Sequence, residues 1–354
     1  MSQRSFTTRS LFTTMLGASL LLPGCMLEKR DDGAEFREAV PQREAVVVAG
    51  PEDGGGGDRS TASIGEIRGT QASGPASRPD YSKWYAFTRV VRDGVNTVTG
   101  AVLGSVWLVV HSEPTSVEEG EAVWGPYSDA LEPATYRFRV RRMAEAEYDY
   151  VLEGRPKTST SDGDYRAVLE GHGYGKRHEL HGEGEFTIDL DAARALDPFQ
   201  HRDDSGSVRV VHHLPGDISE HLDALPRTII AEVTPDPAVN PESYSVTSTA
   251  NEDGTGTLQV VAKADVDDTK TTQLEDIAVD SRWRGDGAGR ADILISGGDI
   301  PAQLAAVGAG APTDNETVSA VECWGADFAR SYYADSIGIE PTEGDALACV
   351  YEAP

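Results

Sequence analysis

Between positions 81 and 110 the apolar residues step by three or four: Trp84, Phe87, Val91, Val95, Val98, Val102, Val106 and Val109. That is the period of one helix face, and it predicts a single long helix beginning near Tyr81. Gly100 and Gly104 sit four apart on it, a spacing that allows close backbone approach to another element. The stretch from Val95 to Val110 is apolar on most sides, which raises the possibility of a membrane span. It has only sixteen residues and is interrupted by Asn96, Thr97, Thr99 and Ser105, whereas a bilayer crossing needs about 20 apolar residues. A helix packed against or inside a sheet is therefore expected. Its valine content is high for a helix, so packing must overcome weak intrinsic propensity.

After Trp124-Gly125-Pro126 the period changes to two. Tyr136, Phe138 and Val140 alternate with Arg137, Arg139 and Arg141, and Tyr148, Tyr150 and Leu152 alternate with Asp149 and Val151. Phe186, Ile188 and Leu190 continue the pattern, followed by extended runs near 208–214, 228–233, 244–248, 257–266, 277–283 and 291–295. Turn chemistry separates them at Ser161-Asp162-Gly163-Asp164, Asn251-Glu252-Asp253-Gly254 and Gly285-Asp286-Gly287. Consecutive strands with short turns pair antiparallel with their chain neighbours, and a sheet of about nine strands curls, splits or closes. The expected fold is mainly β: a curved antiparallel meander, half-barrel or barrel-like, with the long helix on or in it. A two-sheet sandwich is the alternative. No fixed-period repeat points to a propeller or solenoid.

The first 24 residues have the pattern of an export leader. Arg4 and Arg9 precede a twelve-residue apolar stretch from Leu11 to Leu22, with no acidic residue before Cys25. The stretch is too short to span a bilayer. Leu22, Gly24 and Cys25 resemble the lipobox of bacterial lipoproteins, with Leu at −3, a small residue at −1 and Cys at +1. Pro23 at −2 departs from the usual Ala or Ser. The resemblance implies cleavage before Cys25, diacylglycerol on its thiol and often a third acyl chain on the new amine. Two or three chains anchor stably where one is marginal. Met26, rather than Asp, at +2 implies the outer membrane more than the inner, with periplasmic or cell-surface orientation open.

Removing residues 1–24 takes two arginines and no acids, leaving 29 basic against 59 acidic residues and a formal charge of −30. Such a surface keeps a chain soluble and repels nucleic acid and anionic lipid. Residues 26 to about 80 are rich in Gly, Pro and charge, with Val46-Val47-Val48-Ala49 as their only apolar run. They read as a disordered tether, so the chain divides into a leader (1–24), a lipidated Cys25 with tether (25–80) and one domain (81–354).

With Cys25 lipidated, Cys323 and Cys349 remain, and in an oxidising compartment a disulfide between them is the simple pairing. Two free thiols or an intermolecular bond are the alternatives. Ala122-Val123-Trp124-Gly125-Pro126-Tyr127, Gly154-Arg155-Pro156-Lys157 and Cys323-Trp324 also resemble lipoproteins of the delta-proteobacterial type, a likeness that carries no activity with it.

Seven of the eight histidines fall between His172 and His221. His178-Glu179-Leu180-His181 falls one residue short of H-E-x-x-H, because helical ligands need i and i+4 on one face. On a strand, His178 and His181, like His212 and His213, would face opposite ways. His172 and His178 are conceivable ligands only through tertiary proximity. Asp265, Asp267, Thr269 and Asp276 approximate a calcium loop, but Lys270 stands where Gly is needed and the bidentate Glu is missing. Gly171 to Gly175 and Gly285 to Gly289 lack nucleotide-loop spacing and read as turns. No P-loop or G-x-S-x-G elbow occurs. The expectation is a non-enzymatic envelope lipoprotein with no catalytic residue, cofactor or metal, serving as a structural or interaction module that can take an envelope protein as partner. Two alternatives stand beside it. One is a carrier or sensor of a small hydrophobic ligand lined by Tyr136, Phe138, Tyr148, Tyr150 and Trp283. The other is a metal-dependent hydrolase.

Overall fold

The long helix is α2, Lys83–Val110, and polar groups hold both of its ends. At the start, Ser82 accepts the Tyr85 amide through its hydroxyl at 3.0 Å, while the Glu322 carboxylate accepts the Lys83 and Trp84 amides at 3.0 and 3.1 Å. At the finish, Arg37 donates from Nε to the Val110 carbonyl at 2.7 Å. A carboxylate at the amino end and a guanidinium at the carboxyl end satisfy orphan backbone groups and suit the helix dipole.

The computed structural model describes residues 33–51 (except 38 and 42), 81–174, 182–214 (except 203), 226–265 (except 237, 239 and 240), 273–298, 317–349 (except 339) and 351. Among the described residues the structure is mainly antiparallel β, with one long helix. The chain divides into two compact units: Met1–Val47 with Val98–Ala224, and Val48–Thr97 with Leu225–Pro354.

The first unit contains α1 (Ala34–Arg37), the end of α2, β1 (Ser116–Glu118), β2 (Glu121–Tyr127), β3 (Ala134–Ala144), β4 (Glu147–Pro156), β5 (Arg166–Tyr174), β6 (Gly182–Asp189), α3 (Leu190–Leu196) and β7 (Ser207–Leu214). Each strand pairs antiparallel with its chain neighbour. Trp124, Phe138, Val140, Tyr150, Leu169, Phe186 and Val210 are buried on alternate positions, the period-two pattern made physical. The second unit runs β8 (Arg227–Thr234), β9 (Ser243–Ala250), β10 (Gly256–Ala264), β11 (Glu275–Trp283), β12 (Gly289–Gly297), β13 (Val318–Trp324), β14 (Arg330–Asp335) and β15 (Glu343–Gly344), again in meander order. Ile229, Leu258, Val279, Ile293 and Trp324 form its buried face.

Aromatic rings lie across glycines of the next strand. Tyr150 is paired with Gly171 and Trp283 with Gly256, and a Cβ on either glycine would overlap the facing ring. The segment at Gly171 is accordingly strand β5, where the sequence reads as a turn. Its glycines make room for a neighbour instead of turning the chain.

Three further features differ from the sequence reading. The buried line on α2 is Tyr85, Thr88, Val91, Thr99, Val102, Leu103, Val106 and Val110; Trp84, Phe87, Val95, Val98 and Val109 flank it, half-buried. The displacement admits two threonines, because Thr88 meets the Ser281 hydroxyl at 2.7 Å inside the second unit. Gly104 makes no close approach, having nothing within 4 Å of a built Cβ.

Residues 33–51, assigned above to the tether, are packed: Phe36, Ala39, Val40, Ala45, Val46 and Val48 are buried. Asn96 completes this by bonding the Val48 amide at 2.7 Å and carbonyl at 2.9 Å, as a partner strand would. Finally, among the described residues α2 alone is long and apolar enough to cross a membrane. Its Thr88 and Asn96 partners and its Arg37 cap lie within the protein, partners that hydrocarbon cannot supply.

Candidate functional site

The meander of the first unit places three connections at one end of its sheet: 128–133 after β2, 157–165 after β4, and α3 with 197–206 between β6 and β7. Two of these carry large apolar side chains that no core claims. Leu131 and Phe199 are each 91% exposed. A leucine or phenylalanine held in water forgoes about 1.5–3 kcal/mol of burial.

Both loops are held by local hydrogen bonds. In the first, the Leu131 amide donates to Asp129 Oδ1 at 3.1 Å, and the Lys157 amide donates to the Pro133 carbonyl at 2.8 Å. In the second, the Asp189 carboxylate caps α3 by accepting the Ala192 amide at 2.8 Å. Asp197 then accepts the Phe199 and Gln200 amides through Oδ1, both at 3.0 Å, and His201 Nδ1 meets Asp204 Oδ2 at 2.9 Å. These are side-chain-made turns, which fix where Leu131 and Phe199 project.

Electrostatics ties the two loops together. Burial pushes the Glu132 carboxyl above its ordinary range, and the charges of Asp197 and Asp129 push it further, against His201 and Lys157. Tyr136 beneath them is raised to about 12 by burial, Glu132 and Asp197. The result is a pair of exposed apolar tips set among carboxylates. Beside them on the same sheet end, Tyr165 lies between Arg137 and Arg155, whose guanidinium carbons are 3.8 and 4.6 Å from the ring centroid. Glu153 accepts from Arg137 at 2.8 Å and Arg139 at 2.9 Å.

Of the residues singled out from sequence, Cys323 and Cys349 are joined, with sulfurs 2.01 Å apart and Cα atoms 5.4 Å apart. Cys25 lies outside the described residues, as do His178, His181, Asp267 and Thr269. His172 is on β5, bonded through Nδ1 to Asp149 at 2.7 Å, with Glu147 3.6 Å from Nε2. His212 is buried while His213 faces outward to Glu183 at 3.3 Å, the opposite-face arrangement a strand imposes. Among the described residues no three His, Cys, Asp or Glu side chains converge as a metal set. Phe138, Tyr148, Tyr150 and Trp283 are buried and Tyr136 half-buried; Phe138 packs 6.0 Å from Trp124 and 6.2 Å from Tyr150, centroid to centroid.

Leu131 and Phe199 are missing from the sequence reading. The available signal was a lone large apolar residue among turn formers, in Asp129-Ala130-Leu131-Glu132-Pro133 and Asp197-Pro198-Phe199-Gln200. No protein-family model matches this chain, and no curated protein or solved structure shows detectable similarity to it.

Proposed function

We propose that the protein is a lipid-anchored lipoprotein of the bacterial outer membrane whose folded part is a non-enzymatic interaction module. The address rests on the leader and the Leu22-Pro23-Gly24-Cys25 sequence. The module reading rests on one observation: Leu131 and Phe199 stand almost wholly in water on two loops that hydrogen bonds and shared charge hold in place. Rigid apolar groups ringed by carboxylates suit an envelope protein that offers an apolar patch with lysine or arginine around it.

The test has two parts. Cys25→Ser should move the protein from the membrane fraction to the soluble envelope fraction. A photo-crosslinking amino acid at 131 or 199 should trap one discrete envelope protein in living cells, and the same probe at the exposed Leu294 should not. Crosslinks that are equally abundant and diffuse at all three positions would remove the module reading. Retention of the Cys25→Ser protein in the membrane would remove the anchor.

A further inference from the structure

We propose that the first unit docks on the phospholipid surface through Trp107, Leu108 and Met143, as well as being tied to it. This rests on the reading of Cys25 as the lipidated residue. Gly33, the first described residue, comes only eight residues after Cys25. Eight residues span at most about 28 Å fully extended, less than the thickness of a small domain. Packing of residues 33–51 removes the long spacer that the composition suggests.

The side chains around the place where the chain joins the fold are unusual for an acidic protein. Arg37 of α1 donates to the carbonyl of Val110, three residues beyond Trp107, and Glu35 of α1 pairs with Arg142, next to Met143, at 3.1 Å. Trp107, Leu108 and Met143 are 48%, 44% and 50% exposed. Trp107 stacks on His111 at 4.0 Å between centroids, which holds the indole at the helix surface. Tryptophan with an apolar body and a polar edge is the side chain that settles at the headgroup level of a bilayer. The neighbouring β1–β2 turn supplies Glu118, Glu119 and Glu121, so attraction to anionic lipid is ruled out as the driving force. The contact is apolar, it takes neutral phospholipid, and it is insensitive to salt.

The experiment uses the mature protein, purified from membranes and reconstituted into phosphatidylcholine vesicles whose acyl chains carry bromine near the headgroup. Of the five tryptophans, Trp124, Trp283 and Trp324 are buried and Trp84 is half-buried, so quenching by bromine reports Trp107. Brominated lipid should quench a clear fraction of the emission, with the same value in low and high salt. Trp107→Phe should abolish that fraction, and Leu108→Glu with Met143→Glu should cut it several-fold while leaving Trp107 in place. Intact-mass measurement of the same sample reads the acylation of Cys25. Acylated protein without quenching overturns the docking and spares the anchor, as does quenching that persists unchanged in the double variant. Protein without acyl chains on Cys25 overturns the anchor and the docking with it.

Discussion

Arg330 donates from Nε to Glu322 at 2.8 Å, and the carboxylate it holds is fully buried against the first two amides of α2. Burial alone would lower the pKa of the Arg330 guanidinium, but hydrogen bonds to Glu322 and Glu340 hold it above its ordinary value. One residue therefore satisfies two helix amides and one half-buried cation.

Glu322→Ala should be among the most destabilising single changes in the second unit, because it leaves Arg330 Nε and both amides without their acceptor. The expected loss is about 3–5 kcal/mol, read by urea denaturation. Glu322→Gln keeps an acceptor oxygen and should lose less. A variant as stable as the parent would show that solvent replaces the carboxylate freely.

Stability should respond to acid with opposite signs at two carboxyls. Burial would raise Glu153, but hydrogen bonds from Arg139 and Arg137 outweigh it and hold it below its ordinary value. Its contribution is present above the unfolded pKa of about 4.3 and is lost as pH falls through the lower folded value. Glu132 is raised, by burial and then by Asp197 and Asp129. Its ionisation therefore opposes folding above the unfolded value, and no such cost exists below it. Glu132→Gln should raise stability slightly at pH 7, by up to about 0.5 kcal/mol, and the melting temperature with it, with no difference at pH 3. Glu153→Gln should lower it at pH 7.

The Cys323–Cys349 bond closes a loop between residues 26 apart. In the chain-entropy account Cys349→Ser costs about 3.5 kcal/mol. Intact protein should weigh two hydrogens less than its reduced form. Two thiols alkylated in native protein would contradict the bond.

Asn96→Ala should loosen the packed segment before α2, since it removes both hydrogen bonds to Val48. A cost of about 1–3 kcal/mol is expected, together with new protease cuts between positions 39 and 51. Unchanged digestion would mean that Phe36 and its neighbours hold the segment without Asn96.

Alternation was enough to find most strands, because Phe138, Val140, Phe186 and Val210 obey a local rule that each strand follows alone. The long helix was equally legible from its valine steps. What local pattern conceals is set by distant partners. Thr88 reads as polar until Ser281 arrives to meet it, so the buried line of α2 came out displaced. Gly171 reads as a turn until the Tyr150 ring lies across it. Phe36, Val40 and Val48 have no period of their own, and only Asn96 and the core reveal them as folded. At the candidate site, the carboxylates of Asp129 and Asp197 were visible as turn formers, but their bringing together of Leu131 and Phe199 depends on strand order.

The caps of α2 also dictate an order of assembly. The residue that closes its carboxyl end, Arg37, precedes Val110 by 73 positions, whereas the carboxylate that closes its amino end follows Trp84 and Lys83 by 238 and 239. A chain made from its amino terminus delivers the helix long before Glu322. Closing a loop of that length carries an entropic cost that the cap cannot repay until β13 is in place. The helix is thus complete only after nearly the whole chain is available. A protein truncated before β13 would present an apolar helix with the Lys83 and Trp84 amides lacking their Glu322 acceptor, a surface open to proteolysis.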